Sequence, residues 1–142
     1  MRIRNIIIGG ITVALVAVLY NFAIFEILEV FPELSFGFEK YAIGGMSFYL
    51  ILFLKDFFVG VILMILFSLA YSNITHDTGE MIFTYRAVFY FVLYGIFALV
   101  SFTIGDLLLM KTSEGMLLLL TLNGVVESFI ATIPIRIFAG KK

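Results

Sequence analysis

The chain contains no cysteine and no tryptophan, and it has one histidine and two prolines. Without cysteine there is no disulfide framework, no thiolate metal site and no cysteine nucleophile. The single histidine, His76, stands beside Asp77 and Glu80. One such donor in a hydrophilic loop is too few for a metal site with the usual ligand count, so His76 is read as solvated and no metal is expected. Charge is also scarce. Asp, Glu, Lys and Arg make up 13% of the 142 residues, where a soluble domain usually carries about a quarter. The net charge of -1, with no basic run beyond Arg2, Arg4 and the final Lys141 and Lys142, argues against a nucleic-acid partner. No Ser-His-Asp set, phosphate-cradling glycine loop or cofactor fingerprint is present. We therefore expect no cofactor and no enzymatic reaction.

What fills the chain instead is apolar. Hydrophobic residues make up 63% of it, with a mean hydropathy of +1.16 and 17 phenylalanines. That leaves too little polar surface to cover a globule in water, so the bilayer is the expected solvent. A spanning helix needs about 20 apolar residues, which gives 142 residues room for four spans and short loops. The expectation is an all-α membrane protein: one integral membrane domain over 1–142, built as a bundle of four transmembrane helices.

The spans are read at 6–25, 48–71, 83–105 and 115–138. A signal peptide competes for the first, because Arg2 and Arg4 precede an apolar run. The run is long for a signal core, and Phe25 to Leu28 offers no small-residue cleavage site, so a retained helix is preferred. Residues 26–40 alternate Glu26, Glu29 and Glu33 with Phe31, Leu34, Phe36 and Phe38. This suits either an amphipathic segment at the membrane surface or an ordinary loop. The second span is open to extension backwards through Tyr41 to Gly45.

Orientation follows from basic residues near the span ends. With the N-terminus inside, Arg2, Arg4, Arg86, Arg136, Lys141 and Lys142 are cytoplasmic, against Lys40, Lys55 and Lys111 outside. This gives N-in/C-in, in a cell (inner or plasma) membrane. Tyr20, Tyr49, Tyr71 and Tyr85 fall near the expected interfaces, as aromatic belts do. The sequon at Asn73 would then be cytoplasmic and unglycosylated.

Small residues mark where membrane helices approach. Gly10, Ala14, Ala17 and Asn21 form such a stripe on the first span, and Asp56, Gly60 and Met64 the least lipophilic line on the second. The third offers Ala87, Tyr94, Ala98, Ser101 and Gly105, and the fourth Asn123, Gly124, Glu127, Ser128 and Ala131. The opposite side of the fourth span, with Val126, Phe129, Ile130, Ile133 and Ile137, is bulky and expected to face lipid. Gly9-Gly10 and Gly44-Gly45 are read as packing or bends, and Pro134 as loosening the end of the fourth helix.

Ionisable groups within a membrane default to a functional reading. Glu127 lies midway along the fourth span, about 18 Å from either end at 1.5 Å per residue. A carboxylate there must be protonated or partnered, because apolar surroundings disfavour charge. Counting depth places Tyr94 level with Glu127, with Asn123 one turn outward. Lys55, Asp56 and Asn21 come somewhat further out, and Ser101 beyond them. Together these seven residues are the candidate site, a polar funnel closed at Glu127 and Tyr94. Three structural alternatives stay open. Glu127 can be a neutral acid that locks two helices, Lys55 and Asp56 can snorkel to the interface, or Glu127 can face a partner subunit.

The stretch Leu119 to Glu127, with its Asn-Gly-Val-Val-Glu ending and with Gly95 near the middle of the third span, resembles small four-helix membrane proteins of bacteria and archaea. The likeness covers residues 83–138 and implies a fold, with no activity attached. The small multidrug exporters also combine four helices with one embedded glutamate. Theirs lies in the first helix, where this chain has none, so only the chemical logic is shared. We expect a non-catalytic subunit or accessory of a larger membrane complex, with other membrane subunits or further copies of itself, as a homo-oligomer, as partners. The alternative is a small proton- or cation-coupled transporter or channel that uses Glu127.

Overall fold

The computed structural model describes residues 3–30, 46–74, 85–109 and 117–139, all as α-helix. They form α1 (Ile3–Val30), α2 (Met46–Ile74), α3 (Tyr85–Leu109) and α4 (Leu117–Ala139). For a chain this apolar the helix is the natural element, because it satisfies its own backbone groups without water. Some side-chain hydroxyls bond back to the helix backbone. Thr12 donates to the Ile8 carbonyl at 2.8 Å and Ser72 to the Leu69 carbonyl at 2.9 Å. At 1.5 Å per residue the helices are roughly 35–44 Å long, against a hydrocarbon core of about 30 Å. α1, α2 and α4 each contain a stretch long and apolar enough to cross a membrane: Ile3–Ile24, Ser47–Ser72 and Thr121–Phe138. In α3 the apolar stretch is Val88–Ile104.

The helix ends differ somewhat from the spans read in the sequence. α1 continues through Glu26 and Glu29 to Val30, so the first part of the 26–40 segment is helical. The rest of that segment, the extension through Tyr41 to Gly45, His76 and Lys111 lie outside the described residues. α3 runs to Leu109, four residues beyond the expected end. α4 continues unbroken across Pro134 to Ala139.

Successive helices are antiparallel, as close pairs along their length show. Gly10 meets Val61 and Phe57, Gly60 meets Val13, and the Phe22 and Tyr49 rings are 5.7 Å apart, so α1 and α2 run in opposite directions. Phe67 against Phe91 and Tyr94, with Lys55 over Phe102, sets α2 against α3. Tyr94 with Thr132, and Thr103 with Gly124, set α3 against α4. α1 and α3 each pack on α2 and α4, and α2 also reaches α4 across the bundle. Among the described residues α1 and α3 do not meet. This is an up-and-down four-helix bundle.

Its packing is inverted relative to a soluble bundle. Large apolar side chains face outward all round, among them Leu19 (65% exposed), Phe58 (63%), Phe89 (61%) and Phe129 (75%). About a third or less of each apolar span is covered by the rest of the protein, 33% in α1 and α2 and 28% in α4. The interior holds small and polar side chains together with larger apolar ones, Phe48 and Phe102 among them. Gly10, Ala14, Ala17 and Asn21 are all buried, as are Asp56, Gly60 and Met64, and Gly124, Glu127 and Ala131. Val126, Phe129, Ile133 and Ile137 are exposed and Ile130 is half-exposed. A soluble protein rarely exposes apolar patches of this extent.

On α3 the buried line departs from the expected stripe. It runs through Tyr94, Ala98, Phe102 and Thr103, while Ser101 is half-buried. α3 has two neighbours to satisfy. Phe102 takes the Lys55 ammonium of α2 over its ring at 5.7 Å, and Thr103 packs on Gly124 of α4. A search for small residues passes over the bulky Phe102 and, with it, the position beside it.

Two glycines should respond oppositely to the same change. A Cβ on Gly60 would lie 2.9 Å from Val13 Cβ and 3.2 Å from Gly10 Cα, whereas one on Gly95 meets nothing within 4 Å. Gly60→Ala should destabilise the bundle by about 1–3 kcal/mol through overpacking. Gly95→Ala should stabilise it by up to about 1 kcal/mol through helix propensity. Thermal or denaturant unfolding in detergent measures both, and equal effects would refute the α1–α2 register.

Candidate functional site

Among the described residues the buried polar or charged ones are Asn21, Asp56, Thr103 and Glu127, one from each helix. All lie toward the same end of the bundle, the end from which residues 31–45 and 110–116 depart. At 1.5 Å per residue they are about 9–15 Å from the helix termini there, and about 18–27 Å from the opposite ones. The register places them at a common level. Lys55 lies against Phe102 and Thr103 against Gly124, so Asp56 is level with about Val126, one residue from Glu127.

Asn21 and Glu127 are each fully buried, and Asn21 Nδ2 donates to Glu127 Oε1 at 2.9 Å. Helical side chains lean toward their own N-terminus. Since α1 and α4 run in opposite directions, these two lean toward each other. Asn123 lies four residues before Glu127 on the same face of α4, and its Nδ2 donates to Asn21 Oδ1 at 3.3 Å. One amide from α1 is thus both donor and acceptor to two side chains of α4. On α2, the Lys55 ammonium is 3.0 Å from Asp56 Oδ1, with the lysine side chain 17% exposed and the aspartate fully buried. The same ammonium sits over the Phe102 ring, an arrangement that adds cation–π attraction.

Thr103 completes the level from α3. It is 8% exposed, and its hydroxyl oxygen has no hydrogen-bond partner. A Cβ on Gly124 would fall on that oxygen, so glycine is what lets the hydroxyl reach α4 between Asn123 and Glu127. Thr103 was not among the residues singled out from sequence. The available signal was the Thr103–Gly124 pairing, which needs the α3–α4 register to be seen.

Of the seven candidates, Asn21, Asn123 and Glu127 are joined by hydrogen bonds, and Lys55 and Asp56 form an ion pair on α2. Ser101 is half-buried on α3. The Tyr94 hydroxyl pairs with Thr132 Oγ1 at 2.9 Å rather than with Glu127. Thr132 gives its one hydroxyl proton to the Ser128 carbonyl at 2.9 Å, so Tyr94 is the donor in that pair. The reason is register: the α3–α4 pairs put Tyr94 about 9 Å along the axis from the level of Glu127. Glu127 faces into its own bundle, not toward a partner, and Asp56 is enclosed rather than extended to an interface.

A second feature lies on the outside. Between α3 and α4 a cleft of about 260 Å³ opens to the surface, lined by Tyr94, Gly95, Leu99, Val125, Phe129 and Thr132 among others. Its hydroxyls are used internally: Ser128 donates to the Gly124 carbonyl at 2.6 Å, and Tyr94 and Thr132 bond as above. What the cleft offers is apolar. Among the described residues no group of three or more Asp, Glu and His is placed to hold a metal ion.

Comparison with known proteins finds no protein family, no curated protein and no solved structure that matches the chain.

The hydrogen bonds across α1 and α4 set the expected outcome of three substitutions. Glu127→Gln preserves shape and keeps an oxygen for Asn21, so it should change stability by under about 0.5 kcal/mol. Glu127→Leu strands the buried Asn21 amide and should cost about 1–3 kcal/mol. Gly124→Ala should cost a similar amount, because its Cβ meets the stiff, β-branched Thr103. Chemical denaturation of the three purified variants in detergent checks the order.

Proposed function

We propose that this is a four-span membrane protein with both termini cytoplasmic, acting as a non-catalytic subunit or accessory of a larger membrane complex. The observation that carries this reading is the contrast between the enclosed polar level and the apolar shell. Asn21, Asp56, Thr103 and Glu127 are turned inward, and between the helix ends the described surface is mostly hydrocarbon. Where neighbours are helices, close approach favours small residues, and the α3–α4 cleft at Gly95 is an indentation in this surface. The rim residue Phe129 is 75% exposed, as an anchor for an apolar partner would be. The partner we favour is a membrane helix of another subunit, seated in that cleft. A homo-oligomer through the same surface is the variant of this reading in which the subunit is another copy.

A proton- or cation-coupled carrier is the second reading, supported by two fully buried carboxyl side chains at one level. It ranks second because the other half of the bundle is filled. Val13, Leu63, Met64, Ala98, Ala131 and Ile135 are each at most 1% exposed, which leaves a carrier no second opening.

Two measurements test the leading reading. For topology, single cysteines at positions 35 and 112 should react with an impermeant thiol reagent outside intact cells. Cysteines at 76 and 142 should be protected. Labelling at 142 without labelling at 35 would reverse the orientation. For assembly, a partner retained by the wild-type chain through mild-detergent purification should be lost with Gly95→Phe, which fills the cleft while leaving the core untouched. Purified wild-type chain that is monodisperse and alone counts against the subunit role.

A further inference from the structure

We propose that the α3–α4 face is the seat of one anionic phospholipid, its acyl chain lying in the cleft at Gly95 and its phosphate on Arg136. The inference rests on the membrane placement proposed above and is independent of the subunit role. In the chain on its own the lipid fills the cleft, and a helix of another subunit that seats there displaces the acyl chain.

The first support is the line of residues along α4. Val125, Phe129 and Thr132 line the cleft, and Arg136 comes one turn after Thr132 on the same face. Arg136 is exposed and makes no ion pair among the described residues. Across the interface Tyr94 meets Thr132 and Thr103 meets Gly124, and the same register sets Tyr90 level with Arg136. Tyr90 is half-buried and comes one turn before Tyr94, in line with the cleft. Arg136 and Tyr90 therefore stand at one level, just past the end of an apolar cleft. Arginine takes a phosphate bidentately through its planar fork, and a phenol hydroxyl can donate to the same oxygens.

The second support is depth. Thr132 and Val125 are about 6 and 17 Å from Arg136 along the axis, at 1.5 Å per residue. One leaflet is half of the hydrocarbon core, or about 15 Å. A lipid with its phosphate on Arg136 thus runs its chain along the whole cleft within its own leaflet. Arg136 lies in the last turn of α4, which ends at Ala139, and a long basic side chain there reaches the headgroups.

The cleft itself suits hydrocarbon. Ser128 and Thr132 give their hydroxyl protons to α4 carbonyls, and Tyr94 gives its own to Thr132, so a chain lying there strands no donor. A Cβ on Gly95 would meet nothing within 4 Å, and Phe129, 75% exposed, forms one wall. Charge then selects the headgroup. In the half of the bundle that holds Arg136, the charged residues of the four helices are Arg4, Arg86 and Arg136, all basic. Basic positions between membrane helices attract anionic headgroups, whereas a zwitterionic lipid brings its own cation to that level. A cation in the last turn also suits the negative end of α4, but that role is the same whichever lipid is present.

Thermal unfolding of the full chain in detergent micelles tests this, with dioleoyl phosphatidylglycerol or dioleoyl phosphatidylcholine added in series, because a ligand of the folded state raises Tm. The apparent affinity for phosphatidylglycerol should exceed that for phosphatidylcholine by about fivefold, the share of one base at an anionic surface. Arg136→Gln and Gly95→Phe should each lose that preference, the first by removing the phosphate contact and the second by filling the cleft. Arg4→Gln should keep it. Inorganic phosphate at the same concentrations should leave Tm unchanged, since it has no chain to place in the cleft. A preference that survives Arg136→Gln or Gly95→Phe, or a phosphate response equal to that of the lipid, overturns the proposal. The Arg136→Gln and phosphate arms decide the case should Gly95→Phe fail to fold. A chain that stays folded and soluble without detergent would strike at the membrane placement itself. Loss of partner retention with the lipid preference intact would strike at the subunit role alone.

Discussion

Burying the Glu127 side chain completely imposes the constraint that the rest of the bundle answers. A carboxyl group in apolar surroundings must be hydrogen-bonded, and if charged it must be balanced. Asn21 supplies the hydrogen bond from α1, and it can do so because α1 and α4 run in opposite directions, so that the two side chains lean together. Asn123 then fixes the Asn21 amide by occupying its oxygen. With α1 and α4 joined in this way, α2 is held by tight glycine contacts to α1 and brings Asp56 to the same level. α3 follows through Phe102 on Lys55 and Thr103 on Gly124. Each helix thus contributes one polar group to one layer, and sliding any helix by a turn would strand at least one of them. In hydrocarbon, where burial of apolar surface gives helices little reason to prefer one register over another, such a layer is what selects the register.

Much of this was legible in the sequence because the inward stripes and the lipid-facing stripes differ in both size and polarity. Gly10, Ala14, Ala17 and Asn21 step by four, three and four residues, and all four are buried. Phe129 and Ile133 on the far side of α4 are exposed at 75% and 63%. The same criterion failed on α3 for a definite reason. That helix is wedged between two neighbours, so its buried face is broad and includes Phe102, a residue that a search for small side chains discards. Thr103, immediately beside it, was lost for the same reason. Tyr94 was assigned to Glu127 by matching midpoints of spans. Because α3 ends at Leu109 rather than 105, its midpoint shifts by nearly a turn and Tyr94 meets Thr132 instead. Depth along a helix can be counted from sequence, but the offset between helices is set by their interlocking side chains.

The chemistry of the level was harder to foresee than its membership. Read along the sequence, Lys55 and Asp56 are a polar doublet that would naturally extend to an interface. In the bundle Asp56 turns inward and the Lys55 stem lies along α3, its ammonium over the Phe102 ring. This converts a surface feature into a largely buried ion pair. The distinction depends on which side of α2 faces the diagonal contact with α4, and that follows from Gly60 packing on Val13 one turn further along.

The order of residues along α4 captures how the two halves of the bundle differ. From Asn123 to Ser128 the helix is polar and small on its inner face. From Ala131 onward it is apolar there, with Ile135 fully buried and Pro134 also inside. The transition coincides with the apolar block on the facing helices, where Val13, Leu63 and Met64 close the core. The fully buried polar groups therefore lie nearer one end, and among the described residues the side chains buried beyond them are apolar apart from Tyr94, whose hydroxyl is bonded to Thr132. Such a layout sets a polar layer toward one end of the bundle against an apolar block toward the other. It also leaves the outer surface of α3 and α4, with the cleft at Gly95, free of any task in the interior.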